Sequence, residues 1–398
     1  MCMTRPRQYK QLYSRLPLLV IRKSRILNVG NYSSTLHTQH LHNEFCSHSC
    51  VFTSVFFGYD QTDSYQHQSS LSPQNMHHFF RTITARSSLS FRSSQYRLMS
   101  TAVGNAIALP DGRHLGYHEY GDPEGLPVIY LHGSPDSGVT LSGFEDPLAK
   151  RLGVRWIAPD RPGIGRSTYQ PNRKVLDYPA DLRSLIEHLK LDHYRIIGTS
   201  GGTGYTIACA QALRRDALLA VGICAGVGPW EAGPAGQSDT MRQLMMVWKG
   251  QNQEFVTYLE SIFQAAAQDP DPSKMEAVWK EQLKGFQPAD REILAKPDAL
   301  QSAVKVFRQV YAQGGAGHGM EMKLITEPWG FQIEDIDYEG IRLWYGLADE
   351  NTSPEMGRYM AERLPKSVYK EYPGETHYSL WREDLLTEFL EDLMGRRH

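Results

Sequence analysis

The stretch Tyr194-Arg195-Ile196-Ile197-Gly198-Thr199-Ser200-Gly201-Gly202-Thr203-Gly204 decides the fold of this chain. A short apolar run ends in Gly-x-Ser-x-Gly, and the small-residue segment Tyr205 to Ala210 follows at once. The pattern predicts a strand, a sharp turn and a helix, with Ser200 at the apex. Glycines two positions before and after the serine make room for so tight a turn. The hydroxyl is then thrust out of the fold at a helix N-terminus, whose free N–H groups favour negative charge. An acyl-transfer nucleophile needs that setting. The same glycines also suit a phosphate-cradling loop, but that reading requires an acidic residue closing the next strand. The next apolar run, Ala217 to Ala225, ends without a carboxylate.

Two further strand-end loops carry chemistry, in the order Ser, Asp, His. Ile341-Arg342-Leu343-Trp344-Tyr345-Gly346 reads as a buried strand and leads to Asp349. Ser367 to Pro373 reads as another and leads through Gly374-Glu375-Thr376 to His377. One edge of a parallel sheet collects such loops, so three distant residues can meet there.

Working outward, Leu109-Pro110-Asp111-Gly112-Arg113 joins two alternating segments and marks an opening hairpin. Strands and helices then alternate with short connections, including a helical pattern over Val175 to Leu191. This order predicts the α/β class: a mostly parallel sheet with helices on both faces. Between the strand ending near Gly226 and the one starting near Gly340 lies an insertion of roughly a hundred residues, far beyond ordinary loop length. Helical patterns cover Met241 to Gly250, Gln253 to Ala267, Lys274 to Gly285 and Ala299 to Gln313. The expected organisation is an N-terminal segment 1–100, core 101–226, a helical cap 227–339 and core 340–398. Within the cap, Trp230, Trp248, Trp279, Trp329, Met241, Met245 and Met246 are candidates for an apolar pocket, and Gly314 to Gly319 reads as a hinge or connector.

At these residues the sequence resembles an α/β-hydrolase of the fold-1 type, a lid-bearing serine hydrolase of the esterase or proline iminopeptidase-like branch. The resemblance rests on His132-Gly133-Ser134-Pro135 after the strand Val128 to Leu131, and on Asp160-Arg161-Pro162-Gly163-Ile164-Gly165-Arg166-Ser167. The Ser200 elbow, Gly346-x-x-Asp349 and Gly374-x-x-His377 complete it. It implies a cap inserted after the sixth strand, with Ser200 as nucleophile, His377 as general base and then acid, and Asp349 as its orienter. It also implies an oxyanion hole formed by the backbone N–H groups of Ser134 and Gly201; Pro135 has no N–H to offer. His132, Asp160 and Arg166 are expected to hold loop shape. The implied substrate is a small apolar molecule bearing an ester, thioester or amide, attacked to give an acyl-enzyme. A serine at the elbow departs from the epoxide hydrolase and haloalkane dehalogenase relatives, which carry aspartate there. Proline iminopeptidase relatives usually show His-Gly-Gly-Pro-Gly, where this chain has Ser134 and Asp136 in place of two glycines. Glu231 and Glu321 are the cap acids considered for an α-amine. The other class compatible with the sequence is a hydrolase-fold protein that binds a small ligand with little turnover.

Composition separates the ends. Residues 1–100 carry eleven Lys and Arg against three acids, whereas 101–398 carry 31 against 41. The leading segment is Arg- and Ser-rich and acid-poor, which fits a mitochondrial presequence, a disordered extension, or an over-extended start upstream of Met76 or Met99. An intracellular location, mitochondrial or cytoplasmic, is expected. The near-neutral net charge of −2 and the lack of a basic stripe argue against nucleic acid. No run approaches the ~20 apolar residues of a spanning helix. Five cysteines form no disulfide framework, and Cys46-Ser47-His48-Ser49-Cys50 lacks a second ligand pair. No cofactor and no metal are expected, and oligomeric state has no signature here.

Overall fold

A computed structural model of the chain describes residues 103–250 and 252–396. The presequence reading and the Cys46 to Cys50 group fall outside those residues. Among the described residues, eight strands form one sheet in the order β1-β2-β4-β3-β5-β6-β7-β8. They are β1 (Asn105–Ala108), β2 (His114–Gly121), β3 (Leu126–Leu131), β4 (Val154–Pro159), β5 (Tyr194–Thr199), β6 (Leu218–Cys224), β7 (Arg342–Gly346) and β8 (Val368–Tyr372). The β1–β2 and β2–β4 pairings are antiparallel, and every pairing from β4 onward is parallel. The opening hairpin pairs Ile107 with Leu115, and its turn closes where Gly112 takes a φ of 85°.

The central strands are buried on both faces, which is why the successive residues Ile196 and Ile197 of β5 are both apolar. Alternate side chains feed two cores. Ile129, Leu131, Ile157, Ile196 and Leu343 pack with α2 (Tyr178–His188) and α3 (Thr203–Ala212). Val128, Tyr130, Trp156, Ile197 and Trp344 pack with α1 (Glu145–Leu152) and the C-terminal helix Glu383–Leu393. Cys209 and Cys224 are free and buried in these cores.

Between β6 and β7 the chain runs through α4 (Asp239–Gly250), α5 (Asn252–Leu259), a π-helical turn Glu260–Gln264, α6 (Ala265–Gln268), α7 (Pro272–Gln282), α8 (Pro288–Leu294), α9 (Pro297–Val310) and α10 (Ala316–Ile325). These elements build a third apolar core around Phe255, Phe263, Trp279, Phe307 and Tyr311, into which Val139, Ile164 and Val227 project from the rest of the fold.

The Gly314 to Gly319 stretch differs from the hinge reading. Only Gly314, at a φ of 102°, serves as a connector, and α10 begins at Ala316. Gly317 is there for close approach: a Cβ on it would lie 2.5 Å from the Gly163 carbonyl oxygen. Gln313 donates from Nε2 to the carbonyls of Gly165 and Ser167 at 2.8 and 2.9 Å, clamping the same turn. Backbone cannot yield as a flexible side chain can, so Gly317→Ala is expected to cost about 1–3 kcal/mol. Gly250→Ala, with nothing near its Cβ position, should be close to neutral. Thermal unfolding of the two variants checks the difference.

Candidate active site

Ser200 sits between β5 and α3 with a φ of 46°, a left-handed angle rare for a residue with a Cβ. The flanking glycines serve close approach. A Cβ on Gly198 would lie 2.0 Å from Thr206 Oγ1, and one on Gly202 would lie 2.4 Å from the Leu131 carbonyl. The strain therefore falls on the serine, held by packing on both sides.

Asp349 lies just past β7 with its side chain fully buried, and Oδ2 is 2.8 Å from His377 Nδ1. Its Oδ1 accepts the N–H groups of Asn351 and Thr352 at 2.8 and 2.9 Å. The neighbouring Glu350 is exposed. Thr352, which sequence reasoning passed over, places Oγ1 2.9 Å from Asp349 Oδ2, 3.0 Å from His377 Nδ1 and 2.8 Å from the Ala225 carbonyl. The only signal for it was an aspartate capping its own turn. Burial alone would lower the His377 pKa; the charge and hydrogen bond of Asp349 outweigh it and hold the imidazole above the ordinary histidine value. The preceding Thr376 donates its hydroxyl to the buried carboxylate of Asp290 on α8, which ties the insertion to the histidine loop.

The loop after β3 abuts the elbow. A Cβ on Gly133 would lie 3.3 Å from Ser200 Cβ, and one on Gly201 would lie 3.0 Å from Ser134 Cβ. Tyr130 braces the arrangement, its hydroxyl lying 3.1 Å from Asp136 Oδ2 and 3.0 Å from Thr199 Oγ1. Burial, aided by the Arg161 charge, pushes the His132 pKa down to about 3, so the ring is neutral. Its Nε2 accepts the Arg161 N–H at 3.1 Å, which leaves the proton on Nδ1, 2.8 Å from the Gly133 carbonyl. Asp160 accepts the Gly138 N–H at 2.8 Å and pairs with His118, while Arg166 donates to the Gly104 carbonyl.

Arg161 and Arg173 carry a buried network that the sequence did not signal, because its members are far apart in the chain. Both pair with Glu321 of α10, whose carboxylate they hold down at a pKa of about 2 against the opposing effect of burial. Glu321 is therefore engaged, and Glu231 is exposed. Of the candidate pocket residues only Trp329 reaches the elbow. With Leu324, Ile325, Val175, Val227 and Tyr205 it lines a cavity of about 10 Å³ beside Gly201. Met245, Trp248 and Trp279 belong to the insertion core, Trp230 and Met241 pack partly buried against it, and Met246 is exposed.

A buried acid behind the loop makes stability pH-dependent. Glu145 accepts the Trp381 indole N–H at 3.0 Å, and its carboxylate is buried without a cationic partner among the described residues. Burial pushes its pKa from 4.5 up to about 7. A raised carboxyl pKa contributes stability below pH 4.5 that is lost as pH climbs through 7. Glu145→Gln should therefore match the native protein at pH 4.5 and gain stability progressively up to pH 7. A shift of that size is worth about 3 kcal/mol, and denaturant melts at several pH values check it.

Among the described residues no three His, Cys, Asp or Glu side chains gather as metal ligands, and no helix is long and apolar enough to cross a membrane. A family model described as "Alpha/beta hydrolase family" matches residues 128–390. The chain is 36% identical over 108 residues to a proline iminopeptidase of Xanthomonas citri, covering 26% of this chain and 33% of that protein. It is 31% identical over 111 residues to the proline iminopeptidase of Arabidopsis thaliana, covering 27% of this chain and 28% of that protein. The matches thus span about a third or less of those relatives' own lengths. Similar solved structures include a hydrolase from Pseudomonas aeruginosa, with a TM-score of 0.52, 17% identity and coverage of 73% of this chain and 98% of that one. The enol-lactonase from Burkholderia xenovorans superposes with a TM-score of 0.51 at 17% identity, covering 73% of this chain and 100% of that one.

Proposed function

We propose that this chain, which belongs to the alpha/beta hydrolase family, is a serine hydrolase working through Ser200, His377 and Asp349. The 2.8 Å pair between His377 and Asp349, at the sheet edge that carries Ser200, is the observation that supports it most. His377 Nε2 takes the proton as Ser200 Oγ bonds to the acyl carbon. The N–H groups of Ser134 and Gly201 receive the oxyanion. Collapse expels the alcohol, thiol or amine, protonated by His377, and leaves an acyl-enzyme. Water, deprotonated by the same imidazole, then releases the acid.

The helices between β6 and β7 act as a cap in this reading. A cavity of about 10 Å³ holds little more than one water, so in this reading the Trp329 side of its lining gives way when a substrate enters. The apolar lining favours a small apolar acyl group. Identity to proline iminopeptidases over about a quarter of the chain favours an aminopeptidase as the second reading. Against it, Glu321 is occupied by two guanidinium groups and is not free to take an α-amine.

A fluorophosphonate probe followed by peptide mapping tests the nucleophile. Profiling on p-nitrophenyl esters of increasing chain length and on aminoacyl anilides, proline included, then separates esterase from aminopeptidase. An adduct on Ser200 with ester turnover is the expected result. An unlabelled Ser200 overturns the reading in favour of a small-ligand binding protein.

A further inference from the structure

We propose that Arg161 is a positioning residue of the oxyanion hole: it orients and polarises the Gly133–Ser134 peptide, and Glu321 on the cap helix α10 holds it in place. The Gly133 carbonyl and the Ser134 N–H belong to one planar peptide unit, so what grips the oxygen also aims the hydrogen. That oxygen takes two donors, Arg161 Nη2 at 2.7 Å and the neutral His132 ring at 2.8 Å. Hydrogen bonds along a chain strengthen one another, and a charged donor does so most. The Ser134 N–H on the far side is thereby made a stronger donor, and it donates to no backbone carbonyl among the described residues.

The same guanidinium reaches further along the loop. Nη1 donates to the His132 carbonyl, and Nη2 lies 2.9 Å from Ser134 Oγ. One fully buried fork therefore holds three consecutive residues, a task that a lysine ammonium cannot copy. Glu321 Oε2 accepts Arg161 Nε at 2.6 Å and the Ser134 hydroxyl at 2.9 Å. Its other oxygen is fixed by Arg173 and by the Tyr205 hydroxyl at 3.2 Å. The helix that carries Glu321 also brings Ile325 Cδ1 against Gly201, 2.9 Å from where a Cβ would stand. The Ser134 donor thus depends on how α10 is seated, and the same helix packs directly against Gly201.

This inference rests on the serine-hydrolase reading, and the experiment separates the two. The full-length protein is assayed for its second-order rate of fluorophosphonate labelling at Ser200, and for kcat and KM on p-nitrophenyl butyrate. Wild-type protein that fails to label at Ser200 defeats the underlying reading, not the role of Arg161. Given labelling, Arg161→Lys is expected to slow it and lower kcat by between tenfold and about a hundredfold, approaching the loss of an oxyanion donor. KM should stay within about twofold, and the midpoint of the acid limb should not move, because His377 and Asp349 are untouched. Glu321→Gln should show a smaller loss, and the double variant should be no worse than Arg161→Lys alone. A merely structural arginine would lower Tm and leave the labelling rate and kcat of the folded protein at wild-type values; that result overturns the proposal. If Arg161→Lys does not fold, Glu321→Gln carries the test, and a wild-type labelling rate in it is equally fatal.

Discussion

Ser200→Ala is expected to lower kcat by a factor on the order of 10⁶ while leaving the fold intact. The substitution removes one oxygen and keeps the Cβ that packs against Gly133, so the strained φ of 46° and its surroundings are unchanged. Stability should therefore stay close to that of the native protein. Ser200→Gly, equally inactive, should instead be more stable, because glycine adopts left-handed angles without the cost of about 1–3 kcal/mol borne by other residues. A gain in Tm on losing the hydroxyl and Cβ together would show strain held at position 200. His377→Ala should lose nearly as much activity as Ser200→Ala, and the double variant little more, since the two groups act on one proton. Independent, multiplying losses would mean that His377 is not the base for Ser200. Hydrolysis surviving in Ser200→Ala, or a fluorophosphonate adduct on another serine, would falsify the assignment outright.

Most of this scaffold was legible because it is written in local patterns. The elbow glycines, the Asp-Gly hairpin and the strand-end positions of Asp349 and His377 each announce a conformation within a few residues. The α10 helix was not legible for the same reason. Its first residues fall in the Gly314 to Gly319 stretch, which reads as a hinge or connector, and only the proximity of Gly163, far away in sequence, explains why glycine is needed at 317. Helix α8 was missed likewise, though Pro288 stands at its first position, where a proline starts a helix instead of ending one. The Arg161–Glu321–Arg173 network spans up to 160 residues. No periodicity or motif encodes such a pairing. The tryptophans of the insertion show the converse limit: aromatic content marked the region as apolar, but whether an indole faces the elbow or the insertion's own core is settled by packing alone.

Asp349→Asn should cut kcat by roughly 10⁴ through the wrong imidazole tautomer, and the contacts around the carboxylate explain why the amide cannot evade this. Oδ1 accepts two backbone N–H groups, from Asn351 and Thr352. An asparagine must keep its carbonyl oxygen on that side, because an NH₂ group there would face two donors. The NH₂ then replaces Oδ2 and points at His377 Nδ1, 2.8 Å away in the native protein. To accept from it, the ring must move its proton to Nε2, the atom that has to take the proton from Ser200. The pH profile supplies an independent check. In the native protein Asp349 holds the His377 pKa above the ordinary histidine value, so kcat/KM should fall as pH drops through that raised value, where the base becomes protonated. Without the carboxylate charge, burial is the largest remaining influence and lowers the pKa, so the residual activity of Asp349→Asn should have its acid limb at lower pH. Glu350→Gln, on an exposed side chain, should keep both the rate and the profile of the native protein. A Glu350 variant that behaved as Asp349→Asn is expected to, beside a nearly active Asp349→Asn, would move the orienting role to the neighbouring residue.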